Sequence, residues 1–163
     1  MLFRSDTGSL WVPLTGAVLQ SALSKIAAQS GTSYKAVSNV VPASTDGTQI
    51  WNKSITPLMS TSDIVIDGAC YVDHGSNGRK ITFAAFRNTT TLIGVACTYV
   101  ATSAKGVELP FKFVDQPGVN TGVTYTIRCF ADLSGTWYVG QGSSALYNGG
   151  LALGSNVEIR EIL

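Results

Sequence analysis

From Thr48 onward, apolar and polar residues alternate with period two along most of the chain, which predicts strands rather than helices. The clearest case is Val123–Ala131. Val123, Tyr125, Ile127, Cys129 and Ala131 share one face there, and Thr124, Thr126, Arg128 and Phe130 share the other. The stretch before it, Asp115–Gly122, holds Pro117, Gly118 and Gly122, which preset or permit the angles of a reversal. The same pattern predicts strands at Thr48–Pro57, Asp63–Asp73, Lys80–Arg87, Leu92–Val100, Val107–Val114, Thr136–Val139 and Asn156–Leu163. Pro110 marks its strand as an edge or a bulge. About eight short strands with turns between them predict an all-β fold, an antiparallel jelly-roll sandwich spanning 48–163.

Residues 1–31 follow a different spacing. Pro13 can open a helix and Gly31 can close it, with Leu14, Val18, Ala22 and Ile26 forming a stripe beside Leu19 and Leu23. This predicts a short amphipathic N-terminal helix or arm. It either packs on its own domain or serves as an attachment or oligomerisation segment, with Trp11, Leu19 and Leu23 as its anchors. The Ser/Thr/Gly-rich stretch 32–47 is expected to be a linker or extended arm.

Two strands depart from a half-wet pattern. Asp63–Asp73 and Leu92–Val100 are apolar on both faces, and a strand covered on both sides needs something packed over its second face. Only 13% of residues are charged, against about 25% in an average soluble domain. Together these features predict burial against neighbouring copies, in a closed threefold assembly. A net charge of +1 argues against nucleic acid as a partner, and no apolar run is long enough to insert into a membrane. The N-terminus lacks the basic-then-apolar order of a signal peptide. Cys70, Cys97 and Cys129 each sit in a strand-like run and are expected to be reduced core thiols rather than disulfides or ligands.

The sequence offers little for catalysis. His74, the sole histidine, lies in a Gly/Asn turn beside Asp73, without partners at metal-ligand spacing. Gly140–Ser144 has the wrong serine spacing for a nucleophile elbow. Asp63, Asp67 and Asp73 share one face of a regular strand among apolar neighbours, whereas paired acid and base roles need two carboxyl groups facing one cleft, which a spacing along one strand does not establish. The expectation is a protein without enzymatic activity, cofactor or metal.

Several pieces in order resemble a bacteriophage tail-fibre tip or receptor-binding domain of the trimeric jelly-roll type, similar in build to complement-component and tumour-necrosis-factor-like heads. They are Gly47–Ile50, Ser54–Pro57, Ser60–Asp67, Ala84–Arg87, Asp115–Gly118 leading into Val123–Arg128, and Val157–Ile162. The resemblance spans most of 45–163. It implies a homotrimeric virion surface protein, joined to other virion proteins through its N-terminal segment and recognising a host surface glycan or protein. Such heads cap long fibres, whereas 1–31 is too short to be the usual shaft, and the expectation therefore leaves open a capsid decoration, head-fibre or tail attachment protein. An up-and-down count of strands puts the connections 58–62, 88–91, 115–122 and 140–155 at one apex, with the C-terminus at the opposite base. Tyr147 and Asn148 in the longest loop, with Asn88, Gln116 and Asn120, are the expected receptor contacts, since an aromatic ring beside amides can stack on and hydrogen-bond a sugar. Tyr147 could equally plug its own loop or the threefold axis.

Overall fold

The computed structural model describes residues 2–4, 11–13, 16–36, 41–103, 105–142 and 155–163, the first two segments by backbone alone. Twelve strands are present among them. β1 (Leu2–Arg4) and β2 (Trp11–Pro13) form a separate antiparallel pair. The others are β3 (Val18–Lys25), β4 (Gln29–Gly31), β5 (Thr48–Ile55), β6 (Asp63–His74), β7 (Arg79–Arg87), β8 (Thr91–Val100), β9 (Val107–Asp115), β10 (Val123–Ala131), β11 (Trp137–Val139) and β12 (Asn156–Ile162).

β5, β10, β7 and β8 lie side by side as one antiparallel sheet. In the second, β6 is flanked by β9 on one edge and by β12 followed by β11 on the other. β3 pairs with β12, and β4 pairs with β11. β11 and β12 run in the same direction along one edge of β6, so they act as one interrupted strand. β3 and β4 do the same one position further out. The domain is thus two four-stranded sheets face to face, the jelly-roll arrangement.

Inward side chains of both sheets form one core. Ile64, Ile66, Cys70 and Val72 of β6 meet Ile81, Phe83 and Ala85 of β7 and Tyr125, Ile127 and Cys129 of β10. Phe83 and Phe111 join the two sheets edge to face, with centroids 5.7 Å apart, and Phe113 stacks beside Phe111 at 5.6 Å. Burying each of these aromatics contributes about 1.5–3 kcal/mol relative to leaving it in water. Ala84, Phe86 and Phe130 form a smaller buried cluster on the outward face of β7 and β10, with Leu92 packed against it.

The helix expected between Pro13 and Gly31 is instead strand, and it supplies the outer edge of the second sheet. The inward positions of β3 are Gln20, Ala22 and Ser24, followed by buried Ile26. Two of these are polar, so the alternation that marks a strand is erased in the sequence. Their partners lie in other strands: Trp51 Nε1 donates to Ser24 Oγ at 2.8 Å, and Gln20 Nε2 donates to Glu161 Oε2 at 2.6 Å. The residues with helical spacing do not share a face. Leu23 stands 70% exposed, whereas Ile26 is buried.

The two strands expected to be apolar on both faces diverge. β6 lies in the middle of its sheet, and Val65 on its second face is buried within the single chain. β8 is an edge strand, and Val95 (47%), Cys97 and Tyr99 (56%) remain exposed. The expectation that all three cysteines are buried therefore fails at Cys97. It holds for Cys70 and Cys129, whose thiols burial pushes up, Cys70 to about 11 and Cys129 well above the ordinary value.

Candidate functional site

The sandwich presents two ends with different construction. At one end lie the connections 56–62, 88–90 and 116–122, together with Gly16, Ala17 and Leu163. Its centre is Glu161, fully buried on the inward face of β12. The carboxylate accepts the Leu58 N–H at 2.8 Å, the Met59 N–H at 3.1 Å, Gln20 Nε2 at 2.6 Å and the Ser62 hydroxyl. Burial opposes the charge, but these donors outweigh it and hold the carboxyl below its ordinary range. Its signal in the sequence is an acid on the apolar face of the last strand, beside Val157 and Ile159.

A second network closes the same end. Arg87 Nη1 pairs with Asp115 Oδ2 at 3.1 Å, and Tyr125 Oη donates to that oxygen at 2.8 Å. Burial and then the Asp115 carboxylate raise the Tyr125 phenol, so it remains a donor. Asp115 belongs to β9 and Tyr125 to β10, so this contact ties the two sheets together.

Three expected receptor contacts are found at this end. Asn88 adopts φ 48°, and its Oδ1 accepts the Thr124 N–H at 3.0 Å, which fixes the turn. Gln116 Nε2 donates to the Thr61 carbonyl at 2.9 Å, linking two connections. Asn120 is exposed. Tyr147 and Asn148 lie outside the described residues, and Trp11 is described only as part of β2. Leu19 is half-buried and Leu23 exposed on the edge strand β3.

The up-and-down count needs two corrections. Leu163 lies at this same end, where its N–H donates to the Ala17 carbonyl at 3.1 Å and its carbonyl accepts the Gly16 N–H. The 140–155 connection does not leave from here. Gly140 N–H reaches the Tyr71 carbonyl at 2.8 Å, and the Ser155 carbonyl takes the Ile26 N–H at 3.0 Å, so both its feet stand midway along the sheet, between β6 and the row of β3 and β4. β11 and β12 run the same way along β6 with no reversal between them, which moves both.

The opposite end gathers the turns 75–78, 101–106 and 132–136. The Gly75 N–H donates to the Thr136 carbonyl, the Gly78 N–H to the Ala101 carbonyl and the Ser103 N–H to Asn77 Oδ1. His74 is buried beneath them. Its Nδ1 accepts the Ser76 N–H at 3.0 Å, which leaves the ring proton on Nε2. Burial lowers its pKa, with Arg79 adding to that and Asp132 and Asp73 opposing it. A Cβ at Gly135 would lie 2.6 Å from the ring, so this turn needs glycine, which also takes φ 135°.

Beside this end, where β4 and β5 approach β10, a polar depression of about 620 Å³ is lined by Gly31, Thr32, Ser33, Tyr34, Thr45, Asp46, Gly47 and Thr48. Ser33 Oγ lies 3.1 Å from Thr48 Oγ1 and donates to the Cys129 carbonyl. Lys35 Nζ pairs with Asp46 Oδ2, which also accepts the Ala43 N–H at 2.7 Å. Burial works against the Asp46 charge, yet these partners bring its pKa below the ordinary value. Sequence reading passed over this stretch as linker. A second depression on the outer face of the other sheet is bounded by Leu23, Asp67, Glu108, Lys112 and Glu158. Among the described residues no group of three or more potential ligands is placed to hold a metal ion.

No protein-family model matches the chain, and no curated protein matches it by sequence. Solved structures do. The infectious bursal disease virus VP2 subviral particle superposes with a TM-score of 0.53 at 9% identity, over 98% of this chain and 37% of that one. The Gt strain of the same virus gives 0.51 at 9% identity, over 100% of this chain and 42% of that one. The chain thus spans about two fifths of the length of these proteins. At such identity the likeness is one of fold alone, a β-sandwich that the chain shares with these virus proteins.

Proposed function

We propose that this chain is a non-enzymatic virion surface protein, a jelly-roll head that joins a larger particle at the end carrying residues 16–17 and Leu163 and presents its opposite end outward. The observation that carries the reading is the two-sheet jelly roll of the described residues, whose solved neighbours include the infectious bursal disease virus VP2 subviral particle. Fold alone does not fix function. The buried polar groups here support a structural role, because Glu161 and Asp115 are engaged in closing the sandwich. The sequence resemblance favours a tail-fibre tip or receptor-binding adhesin, and the virus-particle neighbours favour a capsid decoration protein. Both support a position on the virion, with other virion proteins as partners.

Three copies are proposed to assemble through the exposed strip Val95, Cys97 and Tyr99 of the edge strand β8. An edge strand with an apolar outer face invites a neighbour. The N-terminal segment, with Trp11 and Leu19, is proposed as the link to the particle. In this arrangement Asn88, Gln116 and Asn120 face the particle, and recognition falls to the other end.

The test is to purify intact particles, detect the chain in them by mass spectrometry, and locate it by antibody labelling in the electron microscope. Its presence at the outer surface of tail or capsid is expected and separates the two forms. Absence from purified particles would refute the reading.

A further inference from the structure

We infer that the depression around Tyr34 is a saccharide-binding site, in which the Tyr34 ring is the stacking platform and the Asp46 carboxylate with the Thr32, Thr45 and Thr48 hydroxyls forms the polar rim. This deepens the proposed surface role and rests on it for the identity of the host ligand, though not for binding itself.

Tyr34 is 57% exposed, and the backbone around it explains why. The Lys35 N–H donates to the Ala131 carbonyl at 2.9 Å, and the Ala131 N–H donates to the Ser33 carbonyl at 3.1 Å. Tyr34 is thereby pinned from both sides as a parallel bridge to β10. Its neighbour Ser33 turns its side chain the other way, where its Oγ accepts Trp137 Nε1–H at 3.2 Å and donates to the Cys129 carbonyl at 3.1 Å. With the Ser33 side chain held there, the alternation of an extended chain turns the Tyr34 ring to solvent. The ring is held out by construction, not left over.

The surroundings suit a sugar better than an apolar peptide. Hydroxyls and a carboxylate line the depression, and Gly31 and Gly47 keep its floor low. A pyranose offers one face of C–H groups for an aromatic ring and a circumference of hydroxyls for acceptors and donors. The Lys35–Asp46 pair fixes the carboxylate before any ligand arrives, so little ordering is required on binding. The depression also lies toward the end away from Gly16 and Leu163, where a particle-bound head would meet a host surface.

The experiment is binding of the full chain to a panel of neutral, N-acetylated and sialylated oligosaccharides on an array, with hits quantified by titration, for the parent and for Tyr34→Ala, Tyr34→Phe and Asp46→Asn. Binding of at least one sugar class is expected. Tyr34→Ala should weaken it roughly tenfold or more at unchanged melting temperature, and Tyr34→Phe should retain it within a few-fold. Asp46→Asn should weaken it while leaving the Tyr34 stack in place. No binding by the parent, binding indifferent to Tyr34→Ala, or binding to a host protein without any glycan would overturn the inference. Failure here with the chain present on particles leaves the virion reading standing. Sugar binding lost in Tyr34→Ala, with the chain absent from particles, refutes that reading alone.

Discussion

Replacing Glu161 by Gln preserves the volume of the side chain while removing its charge. The carboxylate takes four donors, from Gln20, Leu58, Met59 and Ser62. An amide oxygen can accept two of them, and the new NH2 group faces donors instead of acceptors. A hydrogen bond to a charged group is worth about 1.5–3 kcal/mol, so two lost bonds give about 3–6 kcal/mol. Leu58 and Met59 lie in an exposed connection, where water can replace part of the loss. The expected destabilisation is therefore about 2–4 kcal/mol, a drop of roughly 5–15 °C in melting temperature for a chain of this size. The pH dependence follows from the direction of the shift. A carboxyl held below its ordinary value of 4.5 stabilises the fold fully above that value and loses its contribution as pH falls through the lower, folded one. The gap between parent and Glu161→Gln should be constant near neutrality and should narrow in acid below about 4.5. Thermal unfolding of both proteins from pH 7 down to pH 3 measures this, and hydrogen exchange at the Leu58 and Met59 amides reports the local effect. Equal stability at pH 7, or a gap unchanged in acid, would refute the assignment of Glu161 as the clasp of this end.

Other expectations follow from the same geometry. In the native protein a thiol reagent should label Cys97 quickly, while Cys70 and Cys129 stay protected until unfolding. Gly31→Ala would set a Cβ 2.3 Å from Trp137 Cζ2 and should cost about 1–3 kcal/mol in urea denaturation. His74 is kept neutral below its ordinary pKa of 6.5, so the stability it contributes is present above pH 6.5 and declines as pH falls below it; melting curves of His74→Gln should show a flatter slope there. Changing Val95 and Tyr99 to Glu should convert the proposed trimer to a folded monomer by light scattering, and a parent protein that is already monomeric at micromolar concentration would rule the trimer out.

Much of the fold was legible because most strands carry their burial in their own side chains. β5 to β10 and β12 match the alternating runs to within a residue or two at each end. β3 was not legible, since its inward Gln20 and Ser24 are made tolerable by Glu161 and Trp51, far away in sequence. No local pattern reports a partner 141 residues distant. The misplaced loop end has the same root. Whether Trp137–Val139 is a strand of its own or the start of β12 is decided by β6 and by the pairing with β4, not by its own three residues. Tyr34 is not legible in the sequence because its exposure depends on Ala131, and a Ser/Thr/Gly-rich neighbourhood looks like linker until β10 is laid beside it.

The pairing of Leu163 with Gly16 and Ala17 makes the domain topologically a cassette. The path of the chain enters and leaves through points joined by hydrogen bonds, so the sandwich can be spliced into a connection of another protein without forcing the host's two strands apart. The same adjacency permits circular permutation. Joining Leu163 to Gly16 through a few glycines and opening the chain at Ser134 should preserve both sheets, while relocating the free termini to the His74 end. A fusion partner attached there would project from the opposite pole, which offers a direct way to choose which end of the head faces a surface.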